Sequence, residues 1–117
     1  MKSIKSSKLW LLSAAVLSGW VSFPVCAGEV QGTVKYVLSR DSDGVLAVEI
    51  NGARSGAPAC AKYEYFMIRD ENSTMGKRQY ATLLAAKLAG KTVYIMGRNT
   101  CARWPDGEDI DTVKVLD

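Results

Sequence analysis

The sequence predicts an all-β domain carrying one helix, in the order three strands, helix, two strands. Three observations carry that expectation. Only the stretch from Ser73 to Gly90 combines helical periodicity with a start and a stop signal. Five short apolar or alternating runs flank it, each bounded by Gly, Asp, Asn or Pro. No internal repeat, low-complexity segment or linker divides the chain further.

The helix starts where Ser73 or Thr74 can accept a hydrogen bond from an otherwise unpaired backbone N–H. From Lys77 to Ala89 there is neither Pro nor Gly, and Ala, Leu, Lys, Arg and Gln dominate, all good helix formers. Gly90 supplies the left-handed residue that ends a helix. Tyr80, Leu83, Leu84 and Leu88 form one apolar stripe, with Leu84 at its centre and expected to enter the barrel mouth. Met75, Thr82, Ala86 and Ala89 form a second stripe of small or weakly polar residues. It is either plain helix propensity or a packing surface for another subunit.

The strands follow from period-two alternation. Val30 to Leu38 places Val30, Gly32, Val34, Tyr36 and Leu38 on one face, and Asp41 to Gly44 forms a turn. Val45 to Ile50 sends Leu46, Val48 and Ile50 inward; Asn51-Gly52 and Ser55 to Pro58 punctuate the next connection. Cys60 to Arg69 is expected as the third strand, Thr92 to Gly97 as the fourth and Ile110 to Leu116 as the fifth. That order is the one found in the OB-fold, a five-stranded Greek-key barrel with its helix plugging one end between strands three and four. An α+β sandwich shares the element order. Ligands of OB-folds commonly sit on the face of strands two and three, between two loops that here are Ser39 to Gly44 and Arg98 to Asp109.

Residues 1–27 read as a targeting segment. Lys2, Lys5 and Lys8 precede an apolar run from Leu9 to Phe23, and Val25-Cys26-Ala27 makes a small-residue cleavage site. The run is short for a membrane span and is broken by Ser13, Ser18, Gly19 and Ser22. Phe23-Pro24-Val25 is a poor lipoprotein signal ahead of Cys26, so cleavage after Ala27 is expected, with no membrane insertion afterwards. Removing the three lysines from the 15 Lys+Arg leaves 12, against 12 Asp+Glu. The mature chain, residues 28–117, is then a single neutral domain of roughly 90 residues, exported to the periplasm or secreted. Its charge argues against nucleic acid as a partner. Cys60 and Cys101 survive processing; an even count in an exported domain reads as a disulfide, with two unpaired thiols as the competing state.

The densest candidate site lies in the last connection, where Asn99, Arg103, Trp104, Asp106 and Glu108 cluster in sequence. An indole packs on the apolar face of a sugar ring while charged neighbours hydrogen-bond its hydroxyls. Trp104 has a second role open to it, as a cap on the barrel rim beside the disulfide. Asp106, Glu108, Asp109 and Asp111 are too few and too turn-like for calcium, and Asp41 to Gly44 lacks the spacing of a calcium loop, so no metal and no cofactor are expected. Catalysis is not expected either: there is no His, and no Gly-x-Ser-x-Gly motif.

Pro58-Ala59-Cys60-Ala61, Asp70-Glu71-Asn72-Ser73, Ala89-Gly90-Lys91, Asn99-Thr100-Cys101, Trp104 and Asp106 to Ile110 together resemble a group of small exported bacterial proteins, some described as similar to the B subunit of subtilase cytotoxin. The pattern spans most of the mature chain. No glycan-binding serine motif aligns, so no toxin residue is carried over. What the resemblance implies is a ring-forming, homo-oligomeric domain that binds glycans.

The expected function is therefore an exported, non-catalytic binding module for a glycan or protein ligand. The alternative is a small periplasmic structural or inhibitory protein that holds one protein partner through a sheet edge or loop. For the disulfide, the intact mass of the exported protein should be two hydrogens below the dithiol value. Cys60→Ala should cost about 2–5 kcal/mol in urea unfolding, as in other small secreted domains.

Overall fold

The computed structural model describes residues 18–19 and 26–117; the expected targeting segment, apart from residues 18, 19, 26 and 27, lies outside the described residues. Strands β1 (Glu29–Ser39), β2 (Leu46–Asn51), β3 (Phe66–Met67), β4 (Thr92–Gly97) and β5 (Glu108–Val115) surround helix α1 (Thr74–Ala89) in the expected order. They form a closed barrel, β1-β2-β3-β5-β4 and back to β1. All pairs are antiparallel except β3 with β5. This is the OB-fold-like Greek-key barrel.

β1 holds the barrel together because it pairs twice. Glu29 to Thr33 pairs with β4, and Thr33 to Ser39 pairs with β2. Gly32 sits where the strand bends from one partner to the other, and a Cβ there would lie 1.9 Å from the Asn51 carbonyl oxygen. Lys35 is then an extra residue: Val34 pairs with Ile50 but Tyr36 with Glu49, a β-bulge. The bulge inverts the parity of everything after it. Val30 and Val34 enter the main core before it, and Val37 enters after it. Tyr36 and Leu38, expected on the same face as Val30, instead lie on the opposite side, against the outside of β2.

The main core joins these residues to Val48 and Ile50 of β2, Phe66 and Ile68, Val93 and Ile95 of β4, and Ile110 of β5. The inward set expected for β2 is correct, Leu46 being partly buried against that core. The third strand is much shorter than the expected Cys60 to Arg69. A turn closed by Ala61 N–H on the Pro58 carbonyl, the bond from Lys62 N–H to the Asp106 carbonyl (2.9 Å) and the Cys60–Cys101 disulfide draw residues 60–65 off the strand line. The bridge joins the β2–β3 connection to the β4–β5 connection across 6.2 Å between Cα atoms.

Both helix ends are as expected. The Ser73 hydroxyl accepts from Gly76 N–H at 2.9 Å, and Gly90 adopts φ 63°, ψ 27°. The facing of the helix differs. Leu83 is fully buried and Ala86 is 2% exposed, whereas Leu84 is 40% and Leu88 82% exposed. The mouth of a five-stranded barrel is filled by one large side chain, and the buried Gly76 and Ala86 let the helix backbone come close around it. Leu83 is that plug. The second stripe, open between helix propensity and a packing surface for another subunit, is split: Ala86 belongs to the core, while Met75 and Ala89 are exposed.

Leu83→Ala should therefore destabilise by about 2–5 kcal/mol and Leu84→Ala by roughly 0.5–1 kcal/mol. Ala86→Glu should prevent folding, since it buries a carboxylate with no partner. Urea melts and circular dichroism of the three variants check the helix setting.

Candidate functional site

The β-bulge and the short third strand leave a second apolar cluster on the outer wall of the barrel. Val45, Ala47 and Met67 are buried there, with Leu38, Tyr65 and Trp104 packed over them. The residues that parity turns away from the main core thus gain their own cover. That cover is incomplete: a depression of about 140 Å³ remains, floored by Ala47 and Met67 and walled by Tyr36, Tyr65 and Trp104. It lies on the face and between the two loops where the element order predicts ligand binding.

Two arginines set the loops around it. Arg40 forks onto Asp43, with Nε to Oδ1 at 3.0 Å and Nη2 to Oδ2 at 2.7 Å. The guanidinium also stands over the Trp104 ring, 4.9 Å from its centroid. That fork holds the Asp43 carboxyl below its usual range. Arg103 forks onto Glu71, at 2.9 and 2.7 Å, and donates to the Asp43 carbonyl at 2.7 Å. One side chain thereby ties the β4–β5, β3–α1 and β1–β2 connections together. Its bond to Glu71 is the main reason the Glu71 carboxyl is held low.

On the other wall, the Tyr65 hydroxyl donates to the Asp106 carboxylate. Tyr63 stacks on Tyr65 at 5.7 Å between centroids and 10° between planes, and is itself 59% exposed. Partial burial and, second, the neighbouring Asp106 push the Tyr65 phenol up to about 12. The rim thus offers guanidinium, carboxylate and phenol groups in fixed positions, and the floor is apolar.

Of the expected site residues, Trp104, Arg103 and Asp106 come together here: Trp104 is a wall, Asp106 orients Tyr65, and Arg103 fixes the loops. Glu108 and Asn99 do not join them. Glu108 is fully buried and bonded to Arg54, Gly28 N–H and Asn99 N–H. Asn99, at φ 64°, contributes that backbone donor. Sequence reasoning missed Tyr36, Leu38, Arg40, Tyr65 and Met67. Tyr36 and Leu38 were hidden by the bulge, and Arg40 looked like an ordinary turn flank. The Tyr63-x-Tyr65-x-Met67 run was the available signal. A larger hollow of about 580 Å³ opens at the start of α1, but it is lined by Arg69, Arg98, Asp70 and Asp111 and by no aromatic ring.

Among the described residues, no group of three or more His, Cys, Asp or Glu side chains is placed to hold a metal ion. No described helix is long and apolar enough to cross a membrane. Compared with protein-family models, curated proteins and solved structures, the chain finds no match in any of the three.

The raised phenol pKa gives a direct test of the wall. Folding favours the neutral phenol, so this contribution to stability is complete below the ordinary value of 10.0 and is lost as pH rises toward about 12. In an alkaline titration followed at the phenolate band, one step should appear only as pH approaches about 12, that of Tyr65. Tyr65→Phe should remove that step.

Proposed function

We propose that this protein is an exported, non-catalytic binding module whose outer aromatic depression receives a glycan. The observation that carries this reading is the placement of the Trp104, Tyr65 and Tyr36 rings around one apolar floor, with Arg40, Asp43 and Asp106 at the edge. Flat apolar rings suit the C–H faces of a pyranose, and fixed charged groups suit its hydroxyls. The loops are already cross-linked by the disulfide and the Arg103 fork, so little ordering would be lost on binding.

A protein ligand is the second reading, and Tyr63 favours it. Its exposed ring, stacked on Tyr65, extends the aromatic surface beyond a sugar-sized hollow, and Tyr, Trp and Arg are the residues that dominate protein interfaces. The closed barrel directs such a partner to the loops rather than to a strand edge. Self-association belongs to the same proposal as the source of avidity, and light scattering of the mature chain measures it.

A glycan array followed by calorimetry tests the main reading. Trp104→Ala and Tyr36→Ala should each weaken glycan binding at least about tenfold, a loss of about 1.4 kcal/mol, with the circular dichroism spectrum unchanged. Binding that survives both changes, or a pull-down from envelope extract that depends on Tyr63 with no glycan bound, would favour the second reading.

A further inference from the structure

Glu108 has surroundings that a solvated loop carboxylate would not need. It is fully buried, and Gly28 N–H donates to both its oxygens, at 3.0 and 3.1 Å. Asn99 N–H reaches Oε1 at 2.9 Å, and the Arg54 guanidinium, its side chain 6% exposed, pairs with Oε2. Arg54 is itself held over the Phe66 ring, 4.1 Å from the centroid. Two glycines make room for the group. A Cβ on Gly28 would lie 2.5 Å from Oε2 and 2.6 Å from Arg54, and one on Gly97 would lie 2.2 Å from the carboxyl carbon. The φ of neither glycine is positive, so close approach to Glu108 is what requires them.

Gly28 is also the first residue after the expected cleavage site. We propose that cleavage of the Ala27–Gly28 bond leaves the new α-ammonium of Gly28 seated on Glu108, so that maturation itself creates a buried ion pair at the start of β1. The proposal rests on the export reading. In the hydrolysis the C–N bond breaks, water supplies hydroxyl to the Ala27 carbonyl and hydrogen to the Gly28 nitrogen, and the proton lost by the new carboxylic acid is balanced by protonation of the amine. Before cleavage an amide N–H donates to the Glu108 carboxylate, already a charge-assisted bond; afterwards the donor atom carries a full charge as well, and the bond becomes an ion pair. The charged groups facing it are Glu108 on β5 and Arg54 on the β2–β3 connection, whose guanidinium is paired with Glu108 and also stands directly beside Gly28. Glu29, next in the chain, is exposed and stands beside Tyr94 on β4.

The test compares three chains: the exported protein, the chain begun at Gly28, and that chain acetylated at its α-amine. Acetylation restores the amide N–H and removes only the charge. At pH 6.5 the free terminus should melt about 4 °C or more above the acetylated one. The Glu108 carboxylate raises the folded amine's pKa against the opposing pull of burial and of the Arg54 charge, so the expected advantage is complete below the unfolded value, near about 8, and is lost as pH rises through the higher folded value. NMR of the isotopically dimethylated α-amine should give a titration above that of a free peptide. Equal melting of free and acetylated chains at both pH 6.5 and pH 10 overturns the docking whatever happens in export. N-terminal sequencing of the exported protein reads the other half: a start at Gly28 supports processing there, and any other start overturns it while leaving the melting comparison valid.

Discussion

Adjacent buried carboxylates at the beginning of β5 hold this structure in place. Strand geometry sends the side chains of Glu108 and Asp109 to opposite sides, and neither reaches solvent. A buried charge is costly unless several donors compensate it. Glu108 has Arg54, Asn99 N–H and Gly28 N–H. Asp109 has the Thr100 hydroxyl at 2.7 Å, Ala102 N–H at 2.7 Å and Arg103 N–H at 3.1 Å. Breaking such a group by removing one partner typically costs about 3–5 kcal/mol. Four of the six donors belong to residues 99–103, three of them as backbone amides, so the two carboxylates act as a template on which that part of the β4–β5 connection takes its course.

The position of the aromatic depression follows from that template. Once residues 100–103 are wrapped around Asp109, Cys101 lies within reach of Cys60 and Arg103 within reach of Glu71. Trp104 comes next in the chain and is delivered onto the outer wall of β2. The wall is ready for it because the bulge at Lys35 has turned Tyr36 and Leu38 outward. Two independent local events, one in β1 and one before β5, thus meet at a single apolar patch.

Much of the fold was legible because local signals agreed with each other. The Ser73 and Gly90 caps bounded the helix, and strands at β1, β2 and β4 showed in alternation or apolar runs. Helix facing was not legible, since leucines occur on adjacent sides and hydrophobicity does not tell which one has room to enter. The choice fell on Leu83 because Gly76 and Ala86 flank it, a matter of backbone approach. The bulge was invisible for a similar reason: Val34-Lys35-Tyr36-Val37 reads as continuous alternation broken by one valine. Trp104, Arg103 and Asp106 were legible as a local cluster, but their partners Tyr36, Tyr65 and Arg40 come from other parts of the chain. Glu108 was misleading because an acidic run around Pro and Gly usually faces water, and only the remote Arg54 reverses that.

The barrel seam and the depression share one element through these carboxylates. Glu108 faces the entry of the chain, where Gly28 and Arg54 meet it, and its neighbour Asp109 faces the loop that carries Trp104. Asn99 bonds to the first and Thr100 to the second, so consecutive residues of the loop are fixed by consecutive residues of the strand. Displacing β5 at its start would strain both sets of bonds together. The arrangement explains why so small a domain carries two buried acids. An apolar pair there would fill the same space, but it would leave the amides at Gly28, Asn99, Ala102 and Arg103 without those acceptors, and the loop would lose the bonds that set its path.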